Sequence, residues 1–128
     1  MCGIIGIVSK RPVVGRLING LERLEYRGYD SSGVATIRNF NICCTKSTGK
    51  LISLKEKLKN EDIDGCVGIG HTRWATHGGP TEINAHPHVT KNVAVVHNGI
   101  IENFAEFKDD LHEKGISFNS QTDTEVIA

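Results

Sequence analysis

Cys2–Val8 reads CGIIGIV, a nearly continuous apolar run carrying one thiol and two glycines. So short and unbroken a run predicts a β-strand covered on both faces, because a strand with one face in water would alternate apolar and polar residues. Working outward, Pro12 opens a helical pattern in which Val13, Leu17, Leu21 and Leu24 recur at spacings of four and three, and Gly28 ends it. Residues 32–38 and 40–46 predict two strands joined tightly near Asn39. A second helix starts at Thr48 or Gly49 and carries Leu51, Leu54 and Leu58 on one side. Residues 66–72 (CVGIGHT) predict another buried strand. From Arg73 to Pro87 no period is visible, and Gly, Pro, Thr, His and Asn dominate. An irregular loop of that length in a compact domain is usually functional.

Residues 92–97 (NVAVVH) predict a strand running into Asn98-Gly99. A helix follows over about 103–114, with Phe104, Phe107 and Leu111 on one stripe and Gly115 as its stop, and then a short strand over 116–119. In TDTEVIA, Thr122 is followed three residues later by Glu125 and then by apolar residues, the pattern of a capping box. The sequence stops inside that first turn, which predicts a domain continuing past Ala128. The element order mixes strand–helix and strand–strand connections, so the fold class is α+β with a largely antiparallel sheet. Helices on one side of such a sheet leave the other face bare, and a second sheet supplied from further along the chain is expected to cover it.

The 128 residues amount to one domain at most, able to hide roughly two-thirds of the surface of the unfolded chain. Fifteen Lys+Arg balance fifteen Asp+Glu, so no cationic stripe points to nucleic acid. A 38% hydrophobic, 23% charged composition is that of an ordinary folded domain. No apolar run approaches the ~20 residues of a membrane span. The amino terminus lacks the basic stretch and cleavage signature of a secretion signal, so a cytoplasmic location is expected. The four cysteines, Cys2, Cys43, Cys44 and Cys66, form no CxxC pair. They predict reduced thiols, three of them packing residues.

Several residues are placed to do chemistry. A small residue at position two permits removal of Met1, which gives Cys2 a free α-amine beside its own thiol, nucleophile and base in one residue. The alternative is a cysteine that falls in a buried strand by chance. Arg73 offers a planar fork suited to a carboxylate, and Trp74 beside it offers a lid against water. Alternatively, Arg73 pairs with a surface acid and Trp74 belongs to the core. Asn98-Gly99 reads equally as a type I′ hairpin turn or as an oxyanion hole made of an amide and a backbone N–H. Asp123, at the first turn of the last helix, suits either the helix dipole or a substrate ammonium. Six histidines raise a metal reading, but HPH at 86–88 is no ligand spacing and no carboxylate or thiol clusters with it, so no metal and no cofactor are expected. His71 and His97, at strand ends, read as satisfied core histidines, and Tyr26, Arg27 and Tyr29 as packing around a tight turn or a site wall.

Taken together, MCGIIGI, LEYRGYDSSG, HTRWATHG, NAHPH, HNGIIEN and TDTE, in this order, resemble the class II glutamine amidotransferases of the N-terminal-nucleophile hydrolases. EYRGYDS with HTRWATHG is similar to the amino-sugar branch of that class. The resemblance spans essentially all 128 residues. It implies an α/β/β/α sandwich of largely antiparallel sheets, here incomplete at its C-terminal side, with residues 1–128 forming the N-terminal portion of a glutaminase domain. It implies Cys2 as nucleophile with its α-amine as base, Asn98 and Gly99 as oxyanion hole, and Arg73 on the glutamine α-carboxylate with Thr76 and His77 in the same loop. It further implies Asp123 on the α-ammonium, and Trp74 closing over the site and guiding ammonia onward. The implied partners are L-glutamine and, through sugar-isomerase domains absent from this chain, fructose 6-phosphate, which ammonia converts to glucosamine 6-phosphate. A homo-oligomer in full length is implied as well, with no nucleic acid and no membrane.

Overall fold

A computed structural model describes residues 2–25 and 28–128. Strand β1 (Gly3–Val8) leads into helix α1 (Val14–Arg23), then the hairpin of β2 (Ser31–Arg38) and β3 (Asn41–Thr48). Helix α2 (Leu51–Leu58), strand β4 (Val67–Arg73), the two-residue strands β5 (His88–Val89) and β6 (Ala94–Val95), and helix α3 (Phe104–Glu113) follow. A 3-10 turn over Thr124–Ile127 closes the chain. Four strands form one antiparallel sheet in the order β1-β4-β2-β3, and β5 pairs with β6 in a separate ribbon. The fold is therefore α+β with antiparallel sheets.

Register explains which face is covered. Ile5 pairs with Gly70 and Ile7 with Gly68, while Val34 pairs with Gly70 across the other edge of β4. These positions share one face, because side chains alternate along a strand. Helices α1 and α2 lie on that face, and Val13, Leu17, Ile18, Leu21, Val34, Leu51, Leu54 and Ile63 form the core. Leu17 and Leu21 sit low on β4 because Gly68 and Gly70 present no Cβ: one added there would lie 2.9 Å from Leu17 and 3.2 Å from Leu21.

β1 departs from the expectation of two covered faces. Ile5 and Ile7 pack against the core, but Ile4 is exposed and Val8 is 83% exposed on the other face. Apolar content alone does not distinguish a strand buried twice from an edge strand whose outer side awaits cover. Phe40, expected in β3, sits instead in the turn, with φ of 49° at Asn39 and 63° at Phe40. The strand expected over 92–97 is reduced to Ala94–Val95, and 116–119 forms none. Cys43 and Cys44 face opposite sides as alternation requires, and all four thiols are free. Cys66, expected to pack, is exposed. The capping box is not formed: Glu125 instead accepts the N–H groups of Asn119 (2.9 Å) and Ser120 (2.7 Å). Met1, Tyr26 and Arg27 lie outside the described residues.

Candidate active site

Antiparallel pairing of β1 with β4 sets Gly3 opposite Thr72, so Cys2 emerges beside the start of the 73–87 loop. The Trp74 N–H donates to Cys2 Sγ at 3.1 Å, and the Thr72 hydroxyl accepts the Gly3 N–H at 3.0 Å. Asp30, just before β2, pins the same loop. Its N–H donates to the Arg73 carbonyl (2.8 Å), and its carboxylate accepts the Ala75 N–H (2.6 Å). Cys2 opens onto a cleft of about 510 Å³ that is also lined by Arg73, Trp74, Thr76, His77, Asn98, Gly99 and Asp123. The structure thus brings all eight expected residues to one cavity.

Arg73 is 3% exposed at the end of β4. Its guanidinium donates to the carbonyls of His77, Gly78 (3.1 Å) and Gly79 (3.2 Å), so the loop wraps around its own first side chain. Gly78, with φ of 77°, supplies the left-handed residue that this curl needs. No carboxylate forms an ion pair with Arg73 among the described residues. Asp123 mirrors it as a buried carboxylate that accepts the Ile101 N–H at 2.8 Å and has no cation in an ion pair among the described residues. A buried charge is costly unless paired. Two such charges of opposite sign on one cavity therefore suit a ligand that carries both complementary charges.

Asn98-Gly99 is not a hairpin turn. The ribbon β5–β6 turns earlier, where the Thr90 N–H donates to the Val93 carbonyl (2.9 Å). Gly99 has φ of 154°, and a Cβ there would lie 2.8 Å from the His97 ring. Its N–H has no acceptor among the described residues. The Asn98 amide donates from Nδ2 to the Cys2 carbonyl at 3.2 Å. Asn98 and Gly99 thus bring two N–H groups to the cavity onto which the thiol opens, donors of the kind an oxyanion hole uses. Trp74 does not belong to the core: it is 54% exposed, with its ring against Gly28. Thr76 is exposed, and the His77 ring meets Phe104 edge-on at 5.6 Å.

Sequence reading missed most of the layer behind the cleft. Three buried imidazoles stack edge to face, His71 on His86 at 4.3 Å and His86 on His88 at 4.6 Å. Their nitrogens do not converge, and among the described residues no group of three metal-ligating side chains does. Burial pushes His71 and His88 down to about 4 and His86 to about 2, so all three are neutral at pH 7. His88 Nε2 meets the Thr122 hydroxyl at 2.8 Å. Asn84 joins the two charged sides of the cleft: Nδ2 donates to the Gly79 carbonyl (3.0 Å), and Oδ1 accepts the Gln121 N–H (2.9 Å). His71 is buried as its place at the end of a buried strand suggests, although its Nδ1 has no partner; the only trace of His86 and His88 is NAHPH, too polar a stretch to suggest burial.

Comparison with known proteins bears on this geometry. The family described as glutamine amidotransferase domain matches residues 58–128, a stretch holding every expected site residue except Cys2. Proteins named glutamine–fructose-6-phosphate aminotransferase [isomerizing] are similar over the whole chain. That of Mesorhizobium japonicum is 59% identical over 128 residues, and that of Rhizobium leguminosarum bv. viciae 63%. The chain covers 21% of each, so it spans about a fifth of the length of these curated relatives. Among solved structures, the glutamine phosphoribosylpyrophosphate amidotransferase of B. subtilis, complexed with ADP and GMP, superposes with a TM-score of 0.81 at 25% identity. It matches over 99% of this chain and 28% of that one.

Proposed function

Because the chain belongs to the glutamine amidotransferase domain family, we propose that its cleft binds L-glutamine and hydrolyses the side-chain amide through a thioester on Cys2. One observation carries the proposal: a thiol opens onto a cavity that buries Arg73 and Asp123, neither of them in an ion pair among the described residues. The guanidinium takes the α-carboxylate and the carboxylate takes the α-ammonium, which selects a free amino acid over a peptide.

With Met1 removed, the Cys2 α-amine accepts the thiol proton. Sγ attacks the amide carbon, and the resulting oxyanion receives N–H bonds from Asn98 and Gly99. The α-ammonium then returns its proton to the departing nitrogen, so the C–N bond breaks and ammonia leaves. Water attacks the γ-glutamyl thioester, releasing glutamate and restoring the thiol. Trp74 closes over the bound substrate with Thr76 and His77 at the rim, and ammonia passes onward beneath it. In the whole protein that ammonia aminates fructose 6-phosphate to glucosamine 6-phosphate on sugar-isomerase domains outside this chain. That protein is a cytoplasmic homo-oligomer in this reading. The names of the relatives and the six motifs support this second half.

The test is intact mass spectrometry before and after incubation with 6-diazo-5-oxo-L-norleucine, a glutamine analogue that alkylates a competent thiol. A chain lacking Met1 gains one adduct on Cys2, and Cys2→Ala abolishes both the adduct and ammonia release. Ammonia release by Cys2→Ala at an undiminished rate would overturn the assignment. Glutamine binding without adduct or turnover would leave a binding module in its place.

A further inference from the structure

We propose that His71 is a positioning residue for the oxyanion hole: it locks the Asn98 amide in the one orientation that turns an N–H toward the reacting carbonyl. The inference rests on the thioester reading above.

An asparagine amide fits its site in two ways, related by a half-turn about the last bond, and only one places nitrogen where a donor is needed. The Cys2 carbonyl, which can only accept, lies 3.2 Å from Nδ2 and selects that orientation. Asn98 Oδ1 then faces His71 Nε2 at 2.8 Å. Since Oδ1 also only accepts, the imidazole must carry its proton on Nε2. In a neutral ring Nδ1 is then bare, and His71 Nδ1 is indeed a buried atom without a hydrogen-bond partner. An orphaned buried nitrogen costs stability, and here it is the counterpart of committing the single ring proton to Asn98.

The ring has no freedom to do otherwise. His71 is 0% exposed. Its backbone sits mid-sheet, paired with Ile4 on one side and Gly33 on the other. The His86 ring holds it edge-on at 78°, so a ring flip would have to displace a stack of three imidazoles. Burial also keeps the ring singly protonated at neutral pH. Asn98 itself is solvent-exposed, and without His71 only the 3.2 Å bond to the Cys2 carbonyl opposes the half-turn that puts Oδ1 against the oxyanion.

The experiment measures glutaminase kcat and KM in the whole protein, with Cys2 at its amino terminus, for His71→Leu, His71→Gln, Asn98→Ala and the double variant His71→Leu/Asn98→Ala. Glutamine places a side-chain N–H close to where Nε2 stood, and leucine does not. Removing the lock is expected to lower kcat roughly 10- to 100-fold while KM stays within about twofold. His71→Gln recovers most of that loss. The double variant is no slower than Asn98→Ala alone, because a lock has nothing left to hold. Losses that add in the double variant, a change in KM alone, or a His71→Gln as slow as His71→Leu would each overturn the inference and leave the thioester reading standing. An Asn98→Ala with unchanged kcat would instead remove the oxyanion role of Asn98 itself, and this inference with it. Unaltered KM in His71→Leu also shows that the variant folds.

Discussion

The two ends of the chain are built on different physics. Up to Ile63, the described core is Val13, Leu17, Ile18, Leu21, Val34, Ala35, Leu51, Leu54 and Ile63; beyond it the buried apolar side chains are Ala85 and Pro87. What is buried after residue 63 is His71, Thr72, Arg73, Asn84, His86, His88, Ser120, Thr122, Asp123 and Thr124. α3 buries none of its residues. The first region also buries Ser31, Ser32, Thr36, Thr45 and Ser47, but its larger side chains are apolar and are held by non-directional burial, which tolerates adjustment. The second is held by hydrogen bonds, which fix positions but leave little margin if one partner is lost. The cleft that gathers two buried charges and two N–H donors is accordingly built where geometry rather than area dominates.

Acid should separate the two regions most strongly. The pKa values of His71, His86 and His88 in the folded chain lie below the ordinary 6.5, so the unfolded chain takes up protons first as the pH drops. The stability they confer is complete above about 6.5 and is lost on acidification toward about 4 for His71 and His88 and toward about 2 for His86, at ~1.4 kcal/mol per pH unit for each proton taken up. Glu125, held below the usual carboxylate range although burial opposes it, by the Ser120 hydroxyl and the Asn119 and Ser120 N–H groups, pushes the same way. Hydrogen exchange followed from about pH 7 to pH 4 is expected to show amides at 84–89 and 119–125 losing protection before those of α1. Simultaneous loss would break the distinction.

Leu21→Ala tests the other side. It deletes a fully buried side chain from the helix–sheet core, and a loss of about 2–5 kcal/mol of unfolding free energy, read as a lower denaturant midpoint, is expected, with protection falling in both regions. Asn84→Ala should act more locally. It breaks the link between Gly79 and Gln121 and costs roughly 1–3 kcal/mol, visible as faster exchange on both sides of the cleft and weaker glutamine binding. An unchanged affinity would sharpen the comparison by assigning Asn84 to stability alone. The smallest effect has the opposite sign. Phe40 is fully exposed with a left-handed backbone, so Phe40→Gly should raise the unfolding midpoint by the equivalent of about 0.5 kcal/mol.

The same contrast governs what was legible in the sequence. Val13, Leu17, Leu21 and Leu24 announce α1 because burial imposes a 3.6-residue period, and the six motifs identify the eight cleft residues because the chemistry requires those types. The polar layer has no such signature. His71, Asn84 and Asp30 bond to groups 27, 37 and 45 residues away, and no local pattern records a contact made across the fold. The capping box failed for a related reason: Glu125 found a hydroxyl and two N–H groups at 119–120 that a seven-residue window cannot weigh. Residues 116–119 have strand-like composition but pair with no strand.

Arg73 has a consequence for how such a domain tolerates change over generations. Its guanidinium is the template on which 77–79 curl, so the loop depends on it whether or not a ligand ever arrives. A descendant that had abandoned the reaction would still be selected to keep the arginine. Asp123 accepts the Ile101 N–H on one oxygen and, at 3.4 Å, the Thr124 hydroxyl on the other; asparagine keeps the first bond and can donate to the hydroxyl oxygen in place of the second. The carboxylate at 123, rather than the guanidinium at 73, is therefore the position where drift would first betray a retired enzyme.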